Sequence, residues 1–327
     1  MLTLFTTPKP FLGHIGRIQR NALKSWSQLS NDCQILLIGN EEGSAEVAQE
    51  LGLEHLPEVS VNDYGTPLIS SIFAKAQKHA CHEILAYVNA DILLMNDFIE
   101  VVQKVRAHAF LLIGQRIDFD YDQELFTDSP TWQTELLERA QAEGNYQKPA
   151  GMDYFVFTKG LYQNIPPYAL GRFYWDNWLV YKAKKQRAKV IDVTESVKAI
   201  HQNHNYQHIF DYQNQNERHT YEASINSLWC PAGHWYSHYD ASWKTVQSPE
   251  QRPSSLKLRR NWTSLAKPYI RTFRNFRRSL GHWREKERPT PSRPSQTAQG
   301  SPLNVNQEKV VTFSTKENSK QDRARVA

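Results

Sequence analysis

Ile84-Leu85-Ala86-Tyr87-Val88-Asn89-Ala90-Asp91-Ile92-Leu93-Leu94 is apolar on both sides of a short polar interruption. The run Ile84–Val88 reads as a buried strand of a parallel sheet. Asn89 and Asp91 sit where that strand ends, two positions apart, and a period of two points both side chains the same way. An amide and a carboxylate then project from the carboxyl end of a strand, where open α/β sheets bind ligands. Oxygen ligands there suit a hard divalent cation, Mg²⁺ or Mn²⁺, of the kind that bridges a pyrophosphate. The alternative is a strand end followed by a helix over 98–109 capped by Asn96 or Asp97.

Working outward, strands and helices alternate. Residues 2–5 read as a first strand and Thr6-Thr7-Pro8-Lys9-Pro10 as a turn, because two prolines do not continue a ladder. Ile15, Ile18, Ala22, Leu23, Trp26 and Leu29 recur at helical spacing and predict a helix over 13–29. A second strand over 33–38 is broken by Gly39-Asn40-Glu41-Glu42-Gly43, and Ser44 is placed to cap a short helix over 44–51. After a short third strand within 52–61, Gly65-Thr66-Pro67 opens a helix running to about 80, with Pro67 in its first turn. Beyond the central strand we expect a strand over 110–114, a polar loop over 115–130, a helix over 131–142 and a strand within 151–157. An aromatic-rich helix over 173–188 and a last strand over 190–193 follow. Residues 209–250 are aromatic but aperiodic and receive no assignment. Alternation through residue 114 implies an α/β fold with a mostly parallel sheet flanked by helices.

The 327 residues suffice for one sizeable α/β domain with appendages. Cys33, Cys81 and Cys230 are far apart in sequence and form no CxxC pair, which argues against a disulfide framework or zinc ribbon and fits a reducing compartment. Neither a basic, apolar leader nor a run of membrane-spanning length is evident, so the expected location is cytoplasmic. The net charge of +5 hides a division. Residues 1–251 carry 21 Lys and Arg against 29 Asp and Glu, whereas residues 252–288 carry 12 against 2. A nucleic-acid partner is therefore not expected of the folded part.

These residues resemble the glycosyltransferases of the GT-A fold, the nucleotide-diphosphosugar transferases, over roughly residues 1–210. The resemblance rests on the Thr6-Thr7-Pro8 turn, on Glu41-Glu42-Gly43 after the second strand, on the helix that opens near Gly65-Thr66-Pro67, and on Asn89-Ala90-Asp91. That triplet is similar to the family's DxD motif, with Asn89 in place of the first acid. It implies that Asp91 ligates a divalent metal, Mn²⁺ or Mg²⁺, on the diphosphate. Asn89 would meet the sugar or ribose, and Thr6, Thr7, Glu41, Gly65, Thr66 and Pro67 would contact or shape the nucleotide pocket. A histidine after the last strand often completes the metal site in this family; among His201, His204 and His208, His201 is favoured as nearest the strand.

Phe173-Tyr174-Trp175-Asp176-Asn177-Trp178 sets one carboxylate among aromatic rings, and sugars stack on aromatic faces. The resemblance implies that Asp176 is the catalytic base of an inverting enzyme, with Trp175 and Trp178 on the acceptor side; the alternative is a helix cap with both rings in the core. Asp153 is a further carboxylate for acceptor or donor sugar. Among Arg17, Lys24 and Lys75 no choice is made for a diphosphate partner.

The expected function is metal-dependent transfer of a sugar, hexose or pentose, from a nucleotide-diphosphosugar to a glycan or lipid acceptor. The rivals are a nucleotidyltransferase, which needs a glycine-rich basic loop that residues 6–16 lack, and a non-catalytic sugar- or membrane-binding protein of the same fold. The expected division is a GT-A-like domain over 1–250, a basic amphipathic segment over 251–287 and a disordered tail over 288–327. Tyr269, Phe273, Phe276, Leu280 and Trp283 are spaced 4, 3, 4 and 3, with arginines between them. That pattern suits peripheral contact of 256–286 with an anionic membrane, or a helix packed on the domain.

Overall fold

The computed structural model describes residues 1–147, 151–204, 215–230, 236–245 and 258–260. The chain clusters into two units, Met1–Thr272 and Phe273–Ala327, and every described residue lies in the first. The amphipathic helix expected from residue 268, the tail over 288–327 and His208 lie outside the described residues.

The elements run β1 (Leu2–Thr6), α1 (Gly13–Ser27), β2 (Cys33–Ile38), α2 (Ser44–Leu51), β3 (Glu54–Leu56), α3 (Ile69–His79), β4 (Ile84–Val88) and β5 (Ile92–Leu93). There follow α4 (Asn96–Lys104), β6 (Phe110–Ile113), β7 (Arg116–Phe119), α5 (Trp132–Glu143), β8 (Asn145–Tyr146) and β9 (Tyr154–Thr158). The rest are α6 (Trp175–Lys185), β10 (Lys189–Asp192), β11 (Ala199–Gln202), α7 (Gln215–Trp229), β12 (Trp243–Thr245) and β13 (Leu258–Arg260).

The main sheet has nine strands in the order β13-β12-β10-β6-β9-β4-β1-β2-β3. It is mostly parallel; β9 runs antiparallel to both β4 and β6, and β13 to β12. The chain winds from β1 outward through β2 to β3, then returns to place β4 on the other side of β1. The order reverses between β1 and β4, and a crevice opens beyond their carboxyl ends at such a reversal. A second sheet, β5-β11-β7-β8, flanks that crevice.

Both faces of the main sheet are covered, which explains why β4 reads as a continuous apolar run. On one side Ile72, Phe73 and Ala76 of α3 pack with Phe5, Tyr87, Phe157, Trp175 and Leu179. On the other, Ala22, Leu23 and Trp26 of α1 pack with Leu4, Val88, Phe98 and Val102. Phe5 and Phe73 meet edge-on with centroids 5.0 Å apart, an arrangement the ring quadrupoles favour.

Several expectations are corrected here. The helix expected over 98–109 is α4, which begins at Asn96 and ends at Lys104; its N-cap is Met95, with no side-chain cap. Asp97 instead accepts the backbone N–H of Lys198 at 2.7 Å. Ser44 does not cap α2 but lies inside it after Gly43, which is left-handed at φ 83°. Pro67 precedes α3 and pairs with Val61 in an isolated bridge. The expected loop over 115–130 contains β7, the histidine-rich run contains the end of β11, and the unassigned stretch contains α7 and β12.

Candidate functional site

Strand register assembles the site. β11 pairs antiparallel with β5, setting His201 opposite Ile92, one residue from Asp91. It pairs parallel with β7, setting His201 opposite Asp118. The pairing of β4 with β9 ends at Val88 opposite Tyr154. The next residues, Asn89 and Asp153, therefore meet: the Asn89 N–H donates to the Asp153 carbonyl at 2.9 Å, and its Nδ2 donates to Asp153 Oδ1 at 2.8 Å.

Asp91 is held by its main chain. Its carbonyl accepts the backbone N–H of Gln202 at 3.2 Å and Nε2 of the same residue at 3.3 Å. Gln202 is fully buried and is fixed in turn by Asn21 and the Ile18 carbonyl. Trp26 Nε1 donates to the Ile92 carbonyl at 2.8 Å. Asp91 Oδ2 lies 3.5 Å from His201 Nε2 and 3.3 Å from His204 Nε2. One ligand atom from each of the three falls within 4.8 Å of the others. Asp91 Oδ1 is buried with no hydrogen-bond partner among the described residues. Two imidazoles, a carboxylate and an unsatisfied buried oxygen form a donor set that fits a divalent metal.

The electrostatics favour an ionised Asp91, whereas His201 must release a proton to serve as a ligand. Burial works against the Asp91 charge, but hydrogen bonds from His201 and His204 outweigh it and hold the carboxyl well below the usual range. Burial also opposes charge on His201, yet Asp118 and Asp91 push it up to about 9. Asp118 Oδ1 faces His201 Nδ1 at 3.1 Å and accepts from Arg116 Nε at 2.8 Å. Desolvation raises Asp153, and the Asp91 charge adds to it while Arg116 opposes it.

A cavity of about 380 Å³ lies over these groups at the reversal between β1 and β4. Of the residues singled out from sequence, Thr7, Glu41, Pro67, Asn89, Asp91, Asp153 and His201 line it together. The loop after β1 is pinned by Gln19, which accepts the Lys9 N–H at 2.7 Å and donates to the Lys9 carbonyl at 2.9 Å. Phe11 then packs against two glycines. A Cβ on Gly16 would stand 2.4 Å from the Phe11 carbonyl carbon, and one on Gly43 would stand 2.8 Å from Phe11 Cβ. The Phe11 N–H donates to Glu42 at 2.8 Å, which ties this loop to the one bearing Glu41. The Thr7 hydroxyl is buried without a hydrogen-bond partner among the described residues.

The other singled-out residues lie elsewhere. Thr6 ends β1 inside the sheet. Gly65 and Thr66 belong to a turn bound to α7: the Thr66 hydroxyl donates to Glu222 at 2.6 Å and accepts from Arg218 at 2.7 Å. Trp175 and Trp178 are each 6% exposed, and their rings fill the core. Asp176 stands in the first turn of α6, after Tyr174 at φ 90°. It does not line the cavity. Desolvation, joined by the charge of nearby Asp153, pushes it up to about 7. Arg17 pairs with Asp122, and Lys75 with Glu58.

Residues not singled out from sequence also line the cavity: Lys9, Gln19, Tyr87, Arg116 and Arg172. The signal for Arg116 was present. Arg116-Ile117-Asp118-Phe119 alternates polar and apolar, which is a strand pattern that sets Arg116 and Asp118 on one face.

No protein-family model matches the chain. A search of curated proteins finds no significant match. Among solved structures the chain is similar to a mannosyltransferase from Pyrobaculum calidifontis in complex with GDP-Man and Mn²⁺, at 10% identity and TM-score 0.44. That match covers 71% of this chain and 65% of the other, just under two thirds of its length. It is also similar to glucosyl-3-phosphoglycerate synthase from Mycobacterium tuberculosis in complex with Mg²⁺ and UDP, at 12% identity and TM-score 0.42, covering 71% and 81% of the two chains. A second structure of that synthase, with Mn²⁺, UDP and phosphoglyceric acid, gives 12% identity, TM-score 0.41 and coverage of 80% and 86%. The solved chains named here are glycosyltransferases.

Proposed function

We propose that the protein transfers a sugar from a nucleotide-diphosphosugar to a hydroxyl-bearing acceptor, glycan or lipid, with a divalent cation held by Asp91, His201 and His204. The observation that carries this reading is the Asp91–His201–His204 cluster in a cavity at the reversal of an α/β sheet, beside Thr7 and Glu41. When bound, the cation supplies a Lewis acid that neutralises charge on a departing diphosphate.

The chain's own residues divide the remaining work. Glu41 and the unsatisfied hydroxyl of Thr7 face the nucleoside. Lys9 is a cavity cation for a diphosphate; Arg172 lines the same cavity but is paired with Glu222. The Asn89 Nδ2 is held by Asp153, which fixes the amide beside Asp91 with its oxygen left for the donor sugar or ribose. Asp176 is assigned the base that accepts the proton of the attacking hydroxyl, and a pKa of about 7 matches that task.

The test is thermal stabilisation of the full chain by a panel of nucleoside diphosphates and nucleotide sugars, with Mn²⁺ and with chelator. Ligand at 100 times its Kd stabilises by about 2.7 kcal/mol. The expected result is a metal-dependent shift with one nucleotide class, abolished by Asp91→Ala. Asp176→Asn should keep that shift and lose turnover. Absence of any shift with wild-type protein would refute the donor site.

A further inference from the structure

Arg116 sits between the two halves of this site. Its Nε donates to Asp118 Oδ1 at 2.8 Å, and its Nη1 pairs with Asp153 Oδ1 at 2.5 Å. Asp118 in turn meets Nδ1 of His201, whose Nε2 faces Asp91. Asp153 is also held by Asn89, and its Oδ2 is buried with no hydrogen-bond partner among the described residues. The side chains of Arg116 and Asp153 are each 9% exposed. A continuous path thus runs from Asp91 through His201, Asp118 and Arg116 to Asp153.

We propose that Arg116 is a positioning residue that couples the cation site to recognition of the donor sugar. It fixes Asp118, which sets the orientation of His201 toward the metal, and it fixes Asp153, whose free Oδ2 accepts a hydrogen bond from a sugar hydroxyl. The inference rests on the transferase reading above. The chemistry needs a guanidinium: its planar fork offers separate N–H groups to two carboxylates at once, whereas a lysine supplies one point charge. It also needs buried partners, because a carboxylate without Arg116 would face Asp91 in a poorly solvated space. An effector that acts on both ligands through one side chain produces reciprocal coupling of their affinities.

The experiment uses the full chain and titrates Mn²⁺ alone, then common nucleoside diphosphates and their hexose conjugates with and without Mn²⁺. In wild type the conjugate should bind more tightly than the bare diphosphate, and Mn²⁺ should tighten that preference. Asp118→Asn should weaken Mn²⁺ about 10- to 100-fold, the range for outer-shell partners of metal-bound histidine, and leave the sugar preference. Asp153→Asn should erase the preference and leave Mn²⁺ affinity. Arg116→Met and Arg116→Lys should lose both and uncouple them. If Arg116→Met does not fold, Arg116→Lys decides. A folded Arg116→Lys that keeps either property at the wild-type level overturns the proposal. If wild type binds Mn²⁺ but no conjugate, the transferase reading fails and the sugar half falls with it, while the Mn²⁺ titrations still test the metal half.

Discussion

A carboxyl group that holds its proton to about pH 7 leaves two signatures, and Asp176 should show both. Its pKa rises from 3.8 to about 7 through desolvation and the neighbouring Asp153 charge. The folded chain therefore binds this proton more tightly than the unfolded one. The stability it contributes is present below about pH 4 and is lost as pH rises toward 7. In Asp176→Asn, denaturant unfolding should lack that decline, and the variant should exceed wild type in stability at pH 8. As a base it works without the proton, so wild-type kcat/KM should rise with pH through about 7. A flat rate profile across that range would remove Asp176 from the chemistry while leaving the stability argument intact. The residue was legible in sequence as a lone acid among aromatics. Its environment was not, because desolvation depends on which rings close over it and on Asp153, 23 positions away in the chain.

At the scale of elements, α7 is the piece that periodicity did not reveal. Its buried face is polar: Glu222 and Asn226 are 2% and 1% exposed. Glu222 accepts from Asn62 and Thr66 at 2.6 Å each and pairs with Arg172 at 2.6 Å. Asn226 receives the Ala169 N–H at 2.9 Å and donates to the Phe173 carbonyl at 3.0 Å. Meanwhile Tyr221, Leu228 and Trp229 are exposed. A helix that buries its polar residues and exposes apolar ones inverts the amphipathic pattern, so the hydrophobic period fails to find it. Glu222→Ala leaves Asn62 and Thr66 without their acceptor and the partly exposed Arg172 without its partner, so the loss should be smaller than the about 3–5 kcal/mol of a fully buried pair. Urea unfolding should register that loss. Because Pro67 and Arg172 line the cavity, nucleotide affinity should fall with it. Unchanged stability would show that the cluster is solvated and α7 is loosely held. The strands β7 and β11 were missed for another reason: each is four residues long and carries charged or polar side chains toward the site. Their apolar faces were too short to stand out from the surrounding loops.

For the whole molecule, charge is divided along the chain. Residues 1–251 carry net −8 and residues 252–288 net +10. No helix among the described residues is long and apolar enough to cross a membrane. We propose that the basic segment brings the protein to an anionic lipid surface, where each Lys or Arg contributes about 1 kcal/mol. Full-length protein should sediment with phosphatidylserine vesicles at low salt and be released as salt rises. Replacing Arg271, Arg274, Arg277 and Arg278 with Gln should reduce that affinity at least tenfold. Equal sedimentation of the variant would place the contact elsewhere or exclude it.

The α/β class, the position of the central strand and the polar ends that follow β1, β2 and β4 are legible in the chain alone. These are local properties: buried parallel strands are written as uninterrupted apolar runs, and their ends as turns. Which side chains meet follows from how the strands pair. His201 reaches Asp91 only because β11 lies beside β5, and it reaches Asp118 only because β7 lies on the other side of β11. Asn89 turns to Asp153 because β9 runs antiparallel to β4. Such pairings join residues that are from 64 to more than 100 positions apart. They are selected by the packing of whole sheets, which no window of sequence contains.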